Sequence, residues 1–317
     1  MTEHTTRSPT LADVDAIAEL VRAYTTAVVG FADFTAEDVR DDLARPGFDP
    51  ATDGRLVLDA DGRAAGYASV HGKGDSDRVE VDVVAPESAV ARSLLEWALE
   101  RAAAIAAAHG HPAALADHGV YRVDERMRSL AAAHGMAVVT TFHRMRVDHT
   151  PPVAAPEPPP GVVLRQGTEP AVREAALAVL NASFADHFGF VAKPFDEWHA
   201  ELDRQSTFDW TQLWVAELDG HPAGMMACTD QFVPDENCGH VGDLGVLEQA
   251  RGRGIAKFLL RHAFAIDAAA GRTGTILYVD TNNTTPALRV YESVGMRPAL
   301  VIDIWRVRVP AAVSAGR

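Results

Sequence analysis

A short segment rich in glycine and arginine, residues 249–256, has the composition of a phosphate-binding turn. It reads Gln-Ala-Arg-Gly-Arg-Gly-Ile-Ala and joins the apolar run 244–246 to a helical pattern over residues 255–270. The first N–H groups of a helix lack internal partners and lie at the positive end of the helix dipole, where they attract anions. Glycine allows the backbone to approach closely, and Arg251 and Arg253 add charged donors. The segment is therefore predicted to bind phosphate.

Two segments of the chain resemble motifs of the GNAT acetyltransferase superfamily. Residues 249–256 match its pyrophosphate loop, Gln/Arg-x-x-Gly-x-Gly/Ala, and lack the Gly-Lys-Ser/Thr of a P-loop and the third glycine of a dinucleotide fingerprint. Residues 283–296 are similar to the family's Asn…Ala…Tyr-Glu-x-x-Gly-Phe segment, with Met296 in place of phenylalanine. The resemblance implies acetyl transfer from acetyl-CoA to an amine, without a metal.

The resemblance also implies which residues bind the acetyl-CoA co-substrate. The pantetheine arm would pair with Leu244, Gly245 and Val246, and the Val246 N–H would polarise the thioester carbonyl. Asn283 would bond the same arm. It lies one residue further from the family tyrosine than usual, so Asn282 and Thr284 stay alternatives. The pyrophosphate would be bound by Arg251, Gly252, Arg253, Gly254, Ile255 and Ala256.

Acid–base roles follow from the same motifs. Tyr291 occupies the position of the family's general acid, and a phenol with a reference pKa of about 10 can protonate a leaving thiolate. Several relatives use as base the residue six positions before Val246, which is His240 here. An imidazole is mostly neutral at pH 7 and can accept a proton. Asp243, Glu236 and an ordered water remain alternatives for the base.

The resemblance implies that the acceptor binds after the first helix of the second half, predicted over residues 170–184. Asp186 and His187 lie in an aromatic stretch there, followed by Phe195 and Trp198, and Glu236 borders the predicted fourth strand. Carboxylates and aromatic rings can bind an ammonium group through charge and cation–π contacts. We therefore expect an amine acceptor, with a cationic one favoured, bound by Asp186, His187 and Glu236.

A proline-rich segment, residues 151–160, divides the chain into two similar halves. Asp-Gly turns recur at 61–62 and 219–220, and Gly-Met pairs recur at 135–136 and 295–296. Each half alternates strand and helix patterns, which fits an α/β or α+β module, and the resemblance implies the α/β class with an α+β mixed sheet. The resemblance implies two tandem GNAT-like domains, each a twisted mixed sheet flanked by helices, over residues 1–150 and 161–317.

The repeat allows a comparison of the two halves. Residues 102–110 align with 263–271, and continuing without gaps sets Val90-Ala91-Arg92-Ser93 over the loop 251–254. Ala131 falls where the second half has Tyr291. The first domain is therefore predicted to be degenerate and the second catalytic. This layout is similar to that of the mycothiol synthase group, which acetylates a small amino-sugar conjugate.

Composition restricts the possible partners. A formal charge of −15 argues against nucleic acid, whose phosphates need a basic surface. Cys228 and Cys238 lack the spacing of a zinc or disulfide framework. No signal peptide or membrane-length apolar run is visible, so a cytoplasmic protein without membrane contact is expected, as a monomer or homodimer.

The main hypothesis is an acetyl-CoA-dependent N-acetyltransferase that acts on the primary amine of a small metabolite by direct transfer. One alternative keeps the fold and uses another acyl-CoA donor. A second alternative is a tandem GNAT protein that binds acyl-CoA or another ligand without turnover.

Overall fold

The computed structural model describes residues 4–185, 187, 190–282 and 287–311. The strands are β1 Thr5–Arg7, β2 Gly54–Leu58, β3 Ala64–Gly72, β4 Arg78–Val84, β5 Ala113–Tyr121, β6 Ala137–Asp148, β7 Val162–Gln166, β8 Leu213–Leu218, β9 His221–Thr229, β10 Cys238–Val246, β11 Gly274–Asp280 and β12 Arg297–Pro310. The α-helices are α1 Val14–Val29, α2 Ala36–Leu43, α3 Pro50–Asp53, α4 Ser88–Ala108, α5 Glu125–Ala133, α6 Pro170–Phe184, α7 Phe195–Arg204, α8 Val233–Glu236, α9 Ile255–Ala269 and α10 Ala287–Ser293.

The chain divides into a first unit, residues 1–142 with 301–317, and a second unit, residues 143–300. The predicted boundary at residues 151–160 does not coincide with this division, because the strands that follow α5 and α10 each contribute to both units. Residues 151–160 belong to the second unit, where Val153 packs on the core and the Pro159 carbonyl accepts the Val162 N–H. The assignment of one degenerate and one catalytic domain stays a prediction.

In the first unit, strands follow the order β1-β2-β3-β4-β5 and the last residues of β12 complete the sheet. Neighbours pair antiparallel except for β4 and β5, which are parallel. One sheet face packs on α4 and α5 through Val70, Val81 and Leu94. The other face packs on α1 and α2 through Ile17, Leu43 and Tyr67.

The second unit repeats this arrangement. Its strand order is β7-β8-β9-β10-β11, followed by the last residues of β6, and β10 pairs with β11 in parallel. One face packs on α9 and α10, and the other packs on α6 and α7. The Asp219-Gly220 turn has positive φ at both residues, which is the geometry of a tight two-residue hairpin. The predicted mixed α/β class is confirmed in both units.

The repeat is confirmed at the helix ends and at the motif that follows. Gly110 and Gly271 both have a φ of 75° and end their helices in the left-handed conformation. The Met136 N–H donates to the Ala131 carbonyl at 3.1 Å, and the Met296 N–H donates to the Tyr291 carbonyl at 3.1 Å. Ala131 therefore occupies the position of Tyr291, as predicted.

The gapless alignment is wrong at the start of the helix. A Cβ on Gly66 of β3 would lie 2.5 Å from Val90 and 2.9 Å from Leu94. A Cβ on Gly224 of β9 would meet Ile255 at 2.8 Å and Leu259 at 3.5 Å. Val90 therefore corresponds to Ile255, and α4, with 21 residues, is longer than α9, which has 15.

This shift changes how the strand-to-helix connections of the two units compare. Residues 90–93 lie inside α4, and the strand β4 reaches the helix through residues 85–87 alone. The second unit uses residues 247–254 for the same connection. The first unit thus lacks the loop itself, rather than keeping a loop from which the glycines were replaced.

Candidate active site

The loop before α9 forms an open cradle at a helix N-terminus. Gly252 and Gly254 have φ values of 77° and 82°, which an L side chain rarely adopts. Nothing lies within 4 Å of a Cβ built on Gly252, and the nearest atom to that of Gly254 is Pro159 Cγ at 3.8 Å. Phe258 is the first residue of α9 whose N–H bonds back into the helix, to the Gly254 carbonyl. The preceding N–H groups are therefore available to an anion.

Basic side chains surround this cradle. Arg251, Arg253 and Lys257 are exposed, whereas Ile255 is buried and Ala256 half-buried. Arg251 Nε donates to the Val246 carbonyl at 3.3 Å, so this side chain folds back over the end of β10. Ile255 contributes packing rather than charge, because its side chain belongs to the core of the second unit.

One edge of β10 is unpaired along its last residues. Its parallel pairing with β11 ends at Val241 and Leu277, while antiparallel pairing with β9 continues to Val246. The Leu247 N–H donates to the Ala223 carbonyl of the preceding strand at 2.9 Å. Backbone groups alternate in direction along a strand, so the N–H groups of Leu244 and Val246 point away from β9, toward the edge that β11 leaves free.

A bulge sets which side chains of β10 share a face. The register shifts between Val241 and Asp243, at Gly242. Val241, Leu244 and Val246 pack with the core beneath α9. Without the bulge, alternation would place His240 and Leu244 on one face. With it, His240, Asp243 and Gly245 share the face toward α6 and α7.

Gly245 has a packing role of its own. A Cβ at this position would lie 2.2 Å from Ser183 Oγ and 3.4 Å from Phe184 Cε2. Ser183 is fixed by a 2.7 Å bond to the Val179 carbonyl within α6. The glycine therefore lets the end of α6 lie directly against the open part of β10, where an acceptor would enter.

Tyr291 lies beside the same elements. Its ring is buried in the core that contains Ile255 and Phe258 and against which Leu244 and Val246 pack. Its hydroxyl has no hydrogen-bond partner among the described residues. Burial raises the pKa of this phenol to about 12, so it holds its proton at neutral pH. The structure thus brings together the predicted strand, loop and acid.

His240 is held as a neutral ring. Its Nδ1 lies 3.0 Å from Thr229 Oγ1, and its ring packs against Phe232 and Tyr278. Burial, assisted by the positive charge of Arg144, lowers its pKa to about 4. A base with so low a pKa accepts a proton from an ammonium group poorly.

Asp243 is better matched to proton transfer. It is half-buried, and burial together with the charge of Glu201 raises the pKa of its carboxyl to about 6, against the opposing effect of Lys193. Lys193 and Glu201 form an ion pair with each other. A carboxylate with this pKa is ionised at pH 7 and is more basic than His240. Neither Lys193 nor Glu201 was identified from the sequence.

The Glu236 carboxylate is paired with two arginines and is therefore not free to bind a substrate. Its carboxylate accepts hydrogen bonds from Arg144 and from Arg146, the latter at 3.0 Å. The Arg144 guanidinium also lies 4.5 Å from the centre of the Phe232 ring. The cluster packs behind His240, whose ring contacts Phe232. In the sequence, this cluster is visible only as arginines at alternate positions of a strand. That pattern does not identify Glu236 as their partner.

The predicted acceptor residues are described in part. His187 follows α6, with its ring centre 4.3 Å from that of Phe184, which in turn borders Gly245. Trp198 is 5% exposed and belongs to the core beneath α7. It therefore packs in the core rather than contacting an amine. Asp186 and Asn283 lie outside the described residues.

The described ranges contain no group of three or more His, Cys, Asp or Glu side chains placed to hold a metal ion. Cys228 and Cys238 are free thiols. Among the helices of the described segments, none has both the length and the apolar character needed to cross a membrane.

Known proteins are similar to this chain in sequence and in fold. The acetyltransferase (GNAT) family model matches residues 179–296. A mycothiol acetyltransferase of Thermobispora bispora is 33% identical over 185 residues, which cover 56% of this chain and 60% of that protein. One from Frankia alni is 31% identical over 92% of this chain and 91% of its own length. The crystal structure of a GCN5-related N-acetyltransferase from Sphaerobacter thermophilus matches 98% of this chain and 97% of that one, with 25% identity and a TM-score of 0.81.

Asp243→Asn is expected to stabilise the protein at high pH. A carboxyl whose pKa rises from about 4 in the unfolded chain to about 6 when folded loses stability as the pH rises through that interval. The variant should exceed the wild type by about 1–2 kcal/mol at pH 8 and match it near pH 4, as measured by urea unfolding. Asp235→Asn controls for net charge, and an equal gain in that variant would contradict the assignment.

Proposed function

Because the chain belongs to the acetyltransferase (GNAT) family and is an N-acetyltransferase, we propose that it transfers an acetyl group from acetyl-CoA to the primary amine of a small molecule. One observation carries the proposal. In the second unit, an unpaired strand edge ends beside an open helix N-terminus with two left-handed glycines. An extended amide chain joined to a pyrophosphate has the chemistry that this combination fits.

The helix N-terminus and the strand edge would each bind a different part of the acyl donor. The pyrophosphate would accept bonds from the N–H groups of residues 254–257, assisted by the exposed Arg253 and Lys257. The pantetheine amides would pair with the free edge at Leu244 and Val246, as an added strand does. Either part alone is a common feature, and their alignment along one edge supports a CoA thioester.

The reaction uses three groups of this unit. The Val246 N–H would stabilise the oxyanion that forms when the amine nitrogen attacks the thioester carbon. Asp243 would accept the proton that the nitrogen releases as the new amide bond forms. The C–S bond then breaks, and Tyr291 would donate its proton to the departing sulfur. The apolar surroundings that raise the pKa of Tyr291 also raise the proton affinity of a thiolate beside it.

A small acceptor is supported by the relatives and by the site. The matched proteins from Thermobispora bispora and Frankia alni are mycothiol acetyltransferases, and the second of these matches covers 92% of this chain. The face that Asp243 shares with Gly245 is bordered by α6 and by the segment at His187. The Asp243 carboxylate on this face favours an amine that approaches as an ammonium ion. Cytoplasmic location and a monomeric or dimeric state stay predictions from the sequence.

Asp243→Asn should lower kcat/KM by about 100-fold or more, because the amide cannot accept a proton. The acidic limb of the wild-type pH profile, with an apparent pKa of about 6, should be absent in the variant. His240→Gln serves as the matched change on the same face and should cost less than about tenfold. A large loss in His240→Gln with activity retained in Asp243→Asn would transfer the base role to His240.

Tyr291→Phe should lower kcat by about 10–100-fold and leave the affinity for acetyl-CoA unchanged, because only the proton donor is removed. Steady-state thiol release gives kcat, and calorimetry gives the affinity. Tyr121→Phe makes the same change in the first unit, at a hydroxyl that donates to Asp33. Unchanged turnover in Tyr291→Phe would show that water or another group protonates the thiolate.

Gly254→Glu should weaken acetyl-CoA binding by at least about tenfold, because it strains a left-handed residue and sets a negative charge at a helix N-terminus. The matched position in the first unit is the exposed Ala89, since Val90 corresponds to Ile255. Calorimetric titration of Ala89→Glu should match the wild type at one site per chain. Two wild-type sites would contradict the loss of cofactor binding in the first unit, and no binding would oppose acetyl-CoA as donor.

A further inference from the structure

The end of α6 closes one side of the open strand edge in the second unit. We propose that Ser183 and Phe184, at this helix end, limit the acyl group of the donor to acetyl and exclude longer acyl chains. The inference rests on the proposed function, in which the thioester lies along residues 244–246, and it names the residues that select the donor. It concerns residues 143–300 alone.

The proposed oxyanion contact fixes where the acyl group begins. A carbonyl oxygen bound by the Val246 N–H would lie about 2.9 Å from that nitrogen, and the carbonyl carbon about 1.2 Å beyond the oxygen. Gly245 directly precedes this donor on β10. The first carbons of an acyl chain therefore lie close to Gly245, and the space around this glycine decides how long the chain can be.

The face of β10 toward α6 has no space at Gly245. This glycine is buried, and a Cβ on it would lie 2.2 Å from Ser183 Oγ, 3.2 Å from Ser183 Cβ and 3.4 Å from Phe184 Cε2. Its partner on β9, Met225, is fully buried in the core beneath α6 and α7. Even a single methyl group does not fit on this face, so an acyl chain cannot extend across it.

This wall is held in place by contacts within the second unit. The Ser183 hydroxyl donates to the Val179 carbonyl at 2.7 Å. Phe184 packs against the core that α6 and α7 cover. Its ring centre lies 4.3 Å from that of His187 and 5.7 Å from that of Phe190. Displacing the wall would break a hydrogen bond and separate packed rings, so we expect it to stay in place when a donor binds.

Other described residues bound the same edge. The side chains of Leu244 and Val246 pack with the core beneath α9, which includes Tyr291. Toward the start of β10, the edge is occupied by β11 as far as Val241 and Leu277. An acyl chain therefore meets described residues on both sheet faces and along the strand. An acetyl group leaves the approach of the acceptor free, whereas a longer chain has to extend into it.

The first unit shows that the sheet itself does not require a glycine at this position. Val84 corresponds to Gly245, because each pairs with the residue that follows one of the corresponding glycines, Gly66 and Gly224. The Val84 side chain packs on the core beneath α1 and α2. The same space in the second unit is filled by the end of α6. This close approach of a helix end belongs to the unit that is proposed to bind the donor.

The test is calorimetric titration of the full chain with CoA, acetyl-CoA and butyryl-CoA, which needs no acceptor. The wild type should bind acetyl-CoA at least about tenfold more tightly than butyryl-CoA, because the added methylenes meet filled space. Phe184→Ala should bind butyryl-CoA at least about tenfold more tightly than the wild type does, because the ring is removed. Its affinities for CoA and acetyl-CoA should stay within about threefold of the wild type.

Phe208→Ala is the matched control. Phe208 packs against the same core as Phe184, with its ring centre 5.1 Å from that of Trp210. The preceding Thr207 carbonyl accepts the Asp230 N–H just beyond the end of β9, away from the acyl site. This variant loses the same ring and should keep the wild-type preference for acetyl-CoA.

The inference is overturned by equal affinity of the wild type for the two thioesters, by an unchanged preference in Phe184→Ala, or by an equal loss of preference in Phe208→Ala. CoA binding reports whether each variant is folded. Phe184→Leu, a smaller truncation, should shift the preference in the same direction, and an unchanged preference in this variant also counts against the wall.

Failure of the proposed function gives a different result. No binding of CoA or of either thioester by the wild type would contradict the donor site and the acyl limit together. Tight binding of acetyl-CoA with equal affinity for butyryl-CoA would leave acetyl transfer in place and contradict the acyl limit alone.

Discussion

The early end of pairing between β10 and β11 is the constraint on which the second unit depends. A strand inside a sheet normally pairs on both edges, because each backbone N–H and C=O needs a partner. Here pairing with β11 stops at Val241 while pairing with β9 continues to Val246. The groups left free face the side on which the phosphate loop opens. A ligand with an extended amide chain would complete the sheet, and it would be a common partner for the loop and the strand.

The two faces of each sheet are covered by different helices. In the second unit, α9 and α10, which carry Ile255 and Tyr291, cover one face, and α6 and α7 cover the face of Asp243. The first unit has the same division between α4 and α1. Changes beneath one face need not disturb the other. The first unit lacks the loop and the tyrosine, and it still has a carboxylate, Asp82, on the opposite face.

Sequence patterns located the features that depend on local backbone chemistry. Gly252 and Gly254 adopt the left-handed conformation that the motif suggested, and α9 begins at Ile255 as its apolar spacing indicated. The helix before the acceptor segment was predicted over 170–184 and is found there. These features are set by residues close together in the chain, so a single sequence contains the information.

Features that depend on distant residues were not predictable in this way. The start of α4 follows from the contact between Val90 and Gly66, which a gapless alignment cannot represent. The pairing of Glu236 with Arg144 joins positions in different strands and helices. The bulge at Gly242 decides whether Asp243 or Leu244 faces α6. Only a glycine before a polar residue marked it, and that pattern is too common to assign a side-chain direction.

A carboxyl opposite a small residue is the feature that the two units share. Asp243 lies across from Ala227, and Asp82 lies across from Ser69. A small neighbour leaves room above the strand, and the surrounding protein disfavours the ionised carboxyl in both units. Such a group gains free energy either by taking a proton or by binding a cation. Where an acyl donor can be held on the adjacent edge, the first outcome serves catalysis. The first unit has a carboxyl at this strand position and no phosphate loop on the adjacent edge, so that outcome has no acyl donor to act on there.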